Sequence, residues 1–292
     1  MDAVSVGLVG AGPWAEKFHA PMLAAGPETR LSAVWSRRPE AARALAARHG
    51  APAADSFAEL LAGCEAVAFA VPPAVQAELA PEAARAGRAL LLDKPLAITL
   101  EAARRLADAA GGAGVPTQMV LTYRYRAATR AFLAHAAGFE ALGARAAFLS
   151  NAFLRGPYAG GWRAEHGALH DLAPHLFDVV VAALGPVAEV VARGDPRRWI
   201  AVTFAHVRGA VSELTLTGSV QRPQSLFRVE LHGAGAELVF DAADSRDEDV
   251  RGTVRREFAE AVRNRRPHAL DVRHGLALQE LIERARRAAA GA

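Results

Sequence analysis

Short apolar runs recur through the first part of the chain, and a segment of helical length separates each run from the next. The runs cover residues 4–9, 31–35, 66–71, 90–92 and 117–122, and the predicted helices cover residues 13–25, 39–49, 74–86 and 100–111. Parallel strands need a crossover connection, which is usually a helix. The alternation therefore predicts an α/β domain with a doubly wound parallel sheet over residues 1–121.

The pattern changes after residue 122, where strand-like runs come closer together. They cover residues 144–153, 187–192, 199–206, 210–219, 226–232 and 236–241. Turn residues such as Gly209 and Gly233 indicate hairpins and a mostly antiparallel open sheet. Further helices are predicted at residues 172–184, 250–264 and 272–289. We assign all of these elements, the C-terminal helices included, to a second α/β domain over residues 122–292.

Composition limits the partners and the compartment. The formal charge is +3, and the arginine pairs are spread along the chain, so nucleic-acid binding is not indicated. A single cysteine, Cys64, excludes an internal disulfide framework and fits a reducing compartment. Arg, Glu or Pro interrupts each apolar run before it reaches membrane-spanning length, and no basic signal-peptide region precedes the first strand. We therefore expect a cytoplasmic protein without a membrane or nucleic-acid partner.

The segment Gly10-Ala-Gly12-Pro13-Trp14-Ala15 follows the first strand and opens the first helix. This is a G-x-G-x-x-A pattern, in which Gly10 makes a tight turn and Gly12 lets the backbone approach a pyrophosphate. Ala15 permits close packing of the helix on the strand, and the helix N-terminus faces the phosphates. The alternative is an ordinary glycine-rich turn, but the position after a first strand favours a dinucleotide site.

The residues after the second strand bear on which dinucleotide binds. An acid about 20 residues past the glycines would bind the ribose 2′-hydroxyl of NAD. This chain has Ser36-Arg37-Arg38 instead. A hydroxyl and two guanidiniums suit a 2′-phosphate, so the sequence favours NADP over NAD. The alternative is that both arginines only cap the loop before the next helix.

A lysine stands where the run Leu90–Leu92 stops, in the sequence Asp93-Lys94-Pro95. Proline cannot continue a central strand, so Lys94 lies at a strand end, where α/β proteins bind ligands. The chain has 34 Lys+Arg residues but only two lysines, Lys17 and Lys94. A lysine retained here indicates a need for an ammonium whose proton can move. The alternative is a surface lysine before a turn.

The densest cluster of titratable groups in an apolar setting includes Asp171, His175 and Asp178. Their i, i+4, i+7 spacing lines one face of a helix. Pro174 requires that this helix has just begun, which places Asp171 at or near its N-cap. Capping by Asp171 and a satisfied core histidine are the structural alternatives. A His/Asp cluster could bind zinc, but the chain lacks thiolates at metal spacing, and we predict no metal.

These motifs together resemble the Gfo/Idh/MocA oxidoreductase family over essentially the whole chain. The matching segments are Gly10-Ala-Gly12, Val71-Pro72-Pro73, Asp93-Lys94-Pro95, Asp171-x-x-x-His175-x-x-Asp178, Gly233-Ala-Gly235-Ala-Glu-Leu and the helix that starts at Asp271. The resemblance implies a Rossmann domain and a second domain whose open sheet often forms a dimer interface. It also implies hydride transfer between NAD(P) and a carbon of a sugar, polyol or related alcohol or ketone.

The resemblance further implies roles for individual residues. Lys94, His175 and Asp171 are the catalytic candidates, with His175 exchanging the proton of the substrate oxygen and a cis Lys94–Pro95 peptide directing the lysine. The cofactor-binding candidates are Gly10, Gly12, Pro13, Trp14, Ser36, Arg37, Arg38, Val71, Pro72, Pro73, Asp93, Lys94, Trp162 and Arg163. Tyr123 and Arg124 are candidates to line the substrate pocket.

Three departures from the family and two rival functions stay open. Asp93 replaces the usual Glu, Gln76 stands where many members have His, and Ala173 replaces the usual Gly. One rival is a cofactor-binding sensor without turnover, against which the intact Lys94, Asp171 and His175 set argues. The other is a glycoside-cleaving relative that uses NAD(P) transiently. A homo-oligomer, dimer or tetramer, is expected.

Overall fold

The structure is a computed structural model that describes residues 2–245 and 249–291. It divides into two compact units. Unit 1 comprises Met1–Val120 and Asp249–Ala277, and unit 2 comprises Leu121–Glu248 and Leu278–Ala292.

The secondary structure of the described residues contains eleven strands and ten α-helices. The strands are β1 (Val4–Val9), β2 (Thr29–Trp35), β3 (Ala66–Phe69), β4 (Ala89–Asp93), β5 (Thr117–Val120), β6 (Gly143–Leu149), β7 (Val187–Asp195), β8 (Trp199–His206), β9 (Val211–Thr217), β10 (Leu226–His232) and β11 (Glu237–Asp241). The helices are α1 (Ala20–Ala24), α2 (Pro39–Arg48), α3 (Phe57–Ala62), α4 (Pro73–Arg85), α5 (Leu100–Ala113), α6 (Ala127–Ala136), α7 (Trp162–Asp171), α8 (Ala173–Leu184), α9 (Val250–Asn264) and α10 (Val272–Ala290). A π-helical turn, Ala15–His19, leads into α1, and 3-10 turns lie at Thr122–Tyr125 and Ala242–Ser245.

Unit 1 contains a five-stranded parallel sheet in the order β2-β1-β3-β4-β5. Every residue of β1 and β3 is buried, as expected for central strands covered on both faces. The predicted doubly wound parallel sheet is therefore confirmed.

Unit 2 contains a six-stranded sheet in the order β11-β10-β6-β9-β8-β7. Its pairs are antiparallel except for β6 with β9, which is parallel. Buried and exposed positions alternate along β8, where Ile200, Val202 and Phe204 point to the core and Trp199 to the open face. The predicted open, mostly antiparallel sheet is confirmed.

The C-terminal helices differ from the expected domain assignment, because α9 and the start of α10 belong to unit 1 rather than to the second domain. The Arg255 guanidinium donates to Glu28 at 2.7 Å. Gln118 of β5 donates to the carbonyl oxygen of Val254 at 3.1 Å. These bonds join residues far apart in sequence, which the order of elements along the chain cannot indicate.

Three helices were not predicted: α3, α6 and α7. Helix α3 has only six residues, but Ser56 accepts from the Glu59 N–H at 3.1 Å and Glu59 accepts from the Asp55 N–H at 2.8 Å. This reciprocal capping is close to the S/T-x-x-E signal that marks a helix start, so the sequence did carry a clue to α3.

Helices α7 and α8 form an apolar segment, Trp162–Leu184, that contains an 18-residue window of mean hydropathy 1.2. By length and composition alone this segment could cross a membrane. However, 83% of the window is buried inside the protein, and the backbone kinks at Gly167. Burial on all sides is typical of a core helix.

Gly167 provides a test of this kink. Its φ is +64°, and an added Cβ would lie 2.1 Å from the Cα of Arg197. We expect Gly167→Ala to lower the free energy of unfolding by about 2 kcal/mol or more, because backbone strain and a clash coincide. Urea unfolding would measure the loss. Gly160→Ala is the control, since its Cβ would meet nothing within 4 Å. Equal free energies of unfolding of the two variants would contradict the expected strain and clash at Gly167.

Candidate functional site

The strand order of the parallel sheet reverses at β1, which has β2 on one side and β3 on the other. Open α/β sheets bind ligands at such a switch point, outside the carboxyl ends of the strands. Gly10 occupies this position. Its N–H donates to the carbonyl oxygen of Trp35 at 2.8 Å. Its φ is +120°, and an added Cβ would lie 2.3 Å from the carbonyl oxygen of Ala70, so only glycine fits.

The residues after Gly10 leave room for a ligand to contact the protein backbone at Gly12. A Cβ at Gly12 would meet nothing within 4 Å. Pro13 is exposed, and the ring of Trp14 stacks on Phe18 at 4.7 Å between centroids. Ala15 is fully buried, as close helix–strand packing predicts. The glycine turn therefore has an open side at Gly12 and a tightly packed side at Ala15.

Ser36, Arg37 and Arg38 follow β2 beside this turn. The Arg38 N–H donates to the Ser36 hydroxyl at 3.2 Å, and its guanidinium donates to the carbonyl oxygen of Ala11 at 3.4 Å. Arg38 occupies the N-cap position of α2 without a side-chain capping bond. Arg37 is exposed and makes no ion pair or hydrogen bond with the described residues. Its guanidinium thus remains available to an anion.

Val71, Pro72 and Pro73 follow β3 on the other side of the crevice. Val71 lies close to the glycine turn, since its Cγ1 would be 3.1 Å from a Cβ on Gly10. Pro72 is the N-cap of α4, and Pro73 starts the helix, where a missing N–H costs nothing. This loop therefore borders the switch point and also sets where α4 begins.

Lys94 follows β4, the strand next to β3. It is half-buried, its N–H donates to Oδ1 of Asp93 at 2.8 Å, and the Lys94–Pro95 peptide is cis, as the resemblance implied. Oδ2 of Asp93 lies 3.5 Å from Nε2 of His19, which is fully buried at the end of the π-helical turn. The Asp93 carboxylate therefore lies between the lysine backbone and a buried imidazole.

A second cluster lies in unit 2, where α7 ends. Asp171 is buried, and its Oδ1 accepts from Nε of Arg163 at 3.2 Å. The Arg163 guanidinium also lies over the rings of Trp162, at 4.5 Å, and Tyr158, at 4.9 Å. Asp171 lies one residue before the N-cap of the next helix, in agreement with its predicted position at or near that N-cap. The N-cap of α8 is Leu172, without a side-chain capping bond, and Asp171 ends α7.

His175 lies in the first turn of α8 and is 7% exposed. Its ring meets that of Tyr123 edge-on at 5.3 Å, and Tyr123 stacks on Phe227 at 3.8 Å. Burial raises the pKa of Tyr123 to about 12, although Arg126 opposes the shift. The phenol therefore stays protonated at neutral pH and can donate a hydrogen bond but not act as a base.

Arg124, a predicted pocket residue, donates to Oδ1 of Asp178 at 2.6 Å. Asp178 is 1% exposed, and a buried carboxylate requires such a partner. The guanidinium is thus engaged by the protein itself. Asp171 and Asp178 each have an arginine partner, which offsets the cost of burying a carboxyl group.

Gln76, noted in the sequence only as a departure from the family, proves to be central to unit 1. Gln76 of α4 is 1% exposed and bonds to the chain on both sides of Lys94. A lone glutamine one turn into a helix carries no pattern that predicts this. Among residues 2–245 and 249–291, no group of three or more His, Cys, Asp or Glu side chains is arranged to hold a metal.

The parallel sheet with a glycine turn at its switch point defines a fold of the Rossmann class. Residues 4–120 match the family model described as an oxidoreductase family with an NAD-binding Rossmann fold. Residues 4–120 of this chain are therefore similar to the nucleotide-binding domain of the Gfo/Idh/MocA family.

Two curated relatives and one solved structure extend the comparison. An uncharacterised oxidoreductase of Schizosaccharomyces pombe is 29% identical over 212 residues, which cover 68% of this chain and 57% of that protein. A dTDP-3,4-didehydro-2,6-dideoxy-alpha-D-glucose 3-reductase of Streptomyces violaceoruber is 35% identical over 115 residues, 39% of this chain and 34% of the reductase. The chain thus matches little more than half the length of the first relative. The structure of GenD2 from gentamicin A biosynthesis, in complex with NAD, is 25% identical with a TM-score of 0.87, covering 99% of this chain and 95% of GenD2.

Proposed function

We propose that this protein is a cytoplasmic, NADP-dependent oxidoreductase that transfers hydride between the nicotinamide and a carbon of a sugar, polyol or related alcohol or ketone. The observation that carries the cofactor preference is Arg37, an exposed guanidinium without a partner among the described residues, next to a glycine turn whose Gly12 is open. Arg–phosphate pairs are charge-assisted and bidentate, which suits a 2′-phosphate. The carbohydrate class rests on the reductase of Streptomyces violaceoruber, whose name describes a deoxysugar substrate.

The residues of the cofactor site fit a dinucleotide. Gly12, Pro13 and Trp14 receive the pyrophosphate side, and Ser36 and Arg38 support Arg37 at the 2′-phosphate. Val71, Pro72 and Pro73 border the ribose, while Trp162 and Arg163 are the candidates from unit 2. The bound cofactor supplies the hydride acceptor or donor.

The chain itself must move one proton. In the direction of oxidation, His175 takes the proton of the substrate hydroxyl, while a bound cofactor would supply the hydride acceptor. Lys94 stabilises the developing charge on that oxygen through its ammonium. Asp171 holds the substrate or orients His175, and the half-buried Tyr123 donates a hydrogen bond to the substrate. Reduction runs through the same groups in reverse.

Substitution of Lys94 and His175 tests this mechanism. We expect Lys94→Met and His175→Asn each to lower kcat/KM by about 10²- to 10⁴-fold, because each removes charge stabilisation or proton transfer. Nicotinamide fluorescence should show NADPH binding within a few fold of the unaltered protein. Lys17→Met is the control, since Lys17 is the other lysine and is exposed. Turnover close to wild type in both variants would overturn the assignment. Substrate cleavage without net NADPH change would instead support transient cofactor use.

The cofactor preference has its own test. Arg37→Ala should raise the Kd of NADPH about tenfold or more, because a charge-assisted bond to the 2′-phosphate is lost. The Kd of NADH should stay within about twofold, since NADH has no group there. Arg43→Ala, an exposed arginine of α2 paired with Glu40, is the matched control. Equal losses of affinity for NADPH and NADH in Arg37→Ala would mean that the 2′-phosphate is not bound at Arg37. Binding of neither cofactor by the unaltered protein would favour a protein that does not transfer hydride.

We also propose a homo-oligomer, a dimer or tetramer, formed through the open face of the unit 2 sheet. This face exposes large apolar side chains, including Trp199 at 48% and Val211 at 45%. Sedimentation velocity at micromolar concentration should show a dimer or larger species, and Trp199→Glu should shift it toward monomer by placing a charge in the interface. A monomer in the unaltered protein would contradict the proposal.

A further inference from the structure

Gln76 makes three hydrogen bonds to the chain that flanks Lys94. Its amide nitrogen donates to the carbonyl oxygen of Asp93 at 2.9 Å and to that of Leu96 at 3.0 Å. Its amide oxygen accepts from the Asp93 N–H at 2.8 Å. Asp93 precedes the lysine and Leu96 follows it by two residues, so one side chain ties both ends of the turn that presents Lys94.

The chemistry of these three partners selects an amide. Two carbonyl oxygens need two donors and one N–H needs an acceptor, which a carboxamide provides within a single group. The partners also fix the orientation of the amide, since the flipped group would face donor to donor and acceptor to acceptor. A carboxylate cannot donate to the carbonyls, and an imidazole provides at most one acceptor with one donor.

The position of Gln76 depends on the loop after β3. Its own N–H donates to the carbonyl oxygen of Pro72 at 3.0 Å, in the first turn of α4. The start of α4 is set by Pro72 and Pro73, which also border the glycine turn at the switch point. A continuous series of short contacts within unit 1 therefore leads from the proposed cofactor loop through Gln76 to the lysine turn.

The Asp93 side chain completes the support. One carboxylate oxygen holds the Lys94 N–H at 2.8 Å, and the other lies 3.5 Å from the buried imidazole of His19. In the described structure the turn is thus contacted by α4 on one side and by the π-helical turn on the other. These contacts restrict motion of the backbone at Lys94 and thereby restrict the position of its Cα.

We propose that Gln76 is a positioning residue for Lys94, acting through hydrogen bonds to Asp93 and Leu96 that hold the lysine turn. This inference rests on the proposed function in assigning chemistry to Lys94, but its structural part can be measured separately. Displacing a catalytic group by about 1 Å can cost on the order of 10²-fold in rate. Gln76 thereby determines kcat without touching the substrate.

The kinetic experiment compares three variants. Gln76→Leu removes all three bonds at similar volume, and we expect kcat to fall about 10- to 100-fold with the Kd of NADPH within a few fold. Gln76→His retains one donor and one acceptor, and should give an intermediate kcat. Gln118→Leu is the matched control, because Gln118 is also a fully buried glutamine of unit 1, bonded to Val254 and not to the lysine turn. All rates are taken well below the lowest Tm of the series.

A second measurement needs no turnover. The chain has only two lysines, so reductive ¹³C-methylation gives two lysine signals in NMR, besides that of the amino terminus. Lys17→Arg assigns them. The Lys94 signal should change in position or width in Gln76→Leu and Gln76→His and stay unchanged in Gln118→Leu. The exposed Lys17 serves as an internal reference in every spectrum.

The outcomes distinguish the positioning role of Gln76 from the chemistry proposed for Lys94. An unchanged Lys94 signal and an unchanged kcat in folded Gln76→Leu or Gln76→His would overturn the positioning role. So would an equal loss of kcat in Gln118→Leu, which would indicate a general effect of lower stability. If Lys94→Met retains turnover while the Lys94 signal still responds to Gln76, the positioning role stands and the proposed chemistry fails.

Discussion

The close approach of the Gly10 backbone to the ends of β2 and β3 is the contact on which the nucleotide side of this protein depends. Its N–H bonds to Trp35, and the absence of a side chain lets it pass the carbonyl of Ala70. This contact holds three strand ends together at the switch point of the sheet. The segments that follow those strands, with Gly12, Arg37 and their neighbours, are thereby brought to one edge of unit 1.

Unit 2 is organised by a different constraint, the burial of charge. Asp171 and Asp178 lie in an apolar core, where an unpaired carboxylate is costly, and each receives a guanidinium from Arg163 or Arg124. These pairs fix the ends of α7 and the middle of α8. His175 lies between the two carboxylates in sequence and is packed against Tyr123, a setting that restricts the imidazole to few orientations.

Much of the fold followed from local patterns. The parallel sheet, the second sheet and most helices were predicted because buried strands and amphipathic helices have distinct periods. Short helices were missed where the hydrophobic periodicity is weak, as in α3. The kinked helix α7 was missed because Gly167 interrupts its helical pattern. Helix α9 and the start of α10 lie in unit 1 and not in the second domain as expected, since the bonds from Arg255 to Glu28 and from Gln118 to Val254 join residues far apart in sequence.

The sequence by itself determined the fold class, the resemblance to the Gfo/Idh/MocA family and the residue types available for chemistry, because glycine, proline and lysine at strand ends have few other uses. Only the tertiary structure decided which of those groups are paired or hydrogen-bonded within the protein. It paired Arg124 with Asp178, left Arg37 without a partner among the described residues, and brought Gln76 to the turn of Lys94. Such assignments depend on distances of about 3 Å between residues remote in sequence, and a hydrogen bond has no signature until both partners are placed.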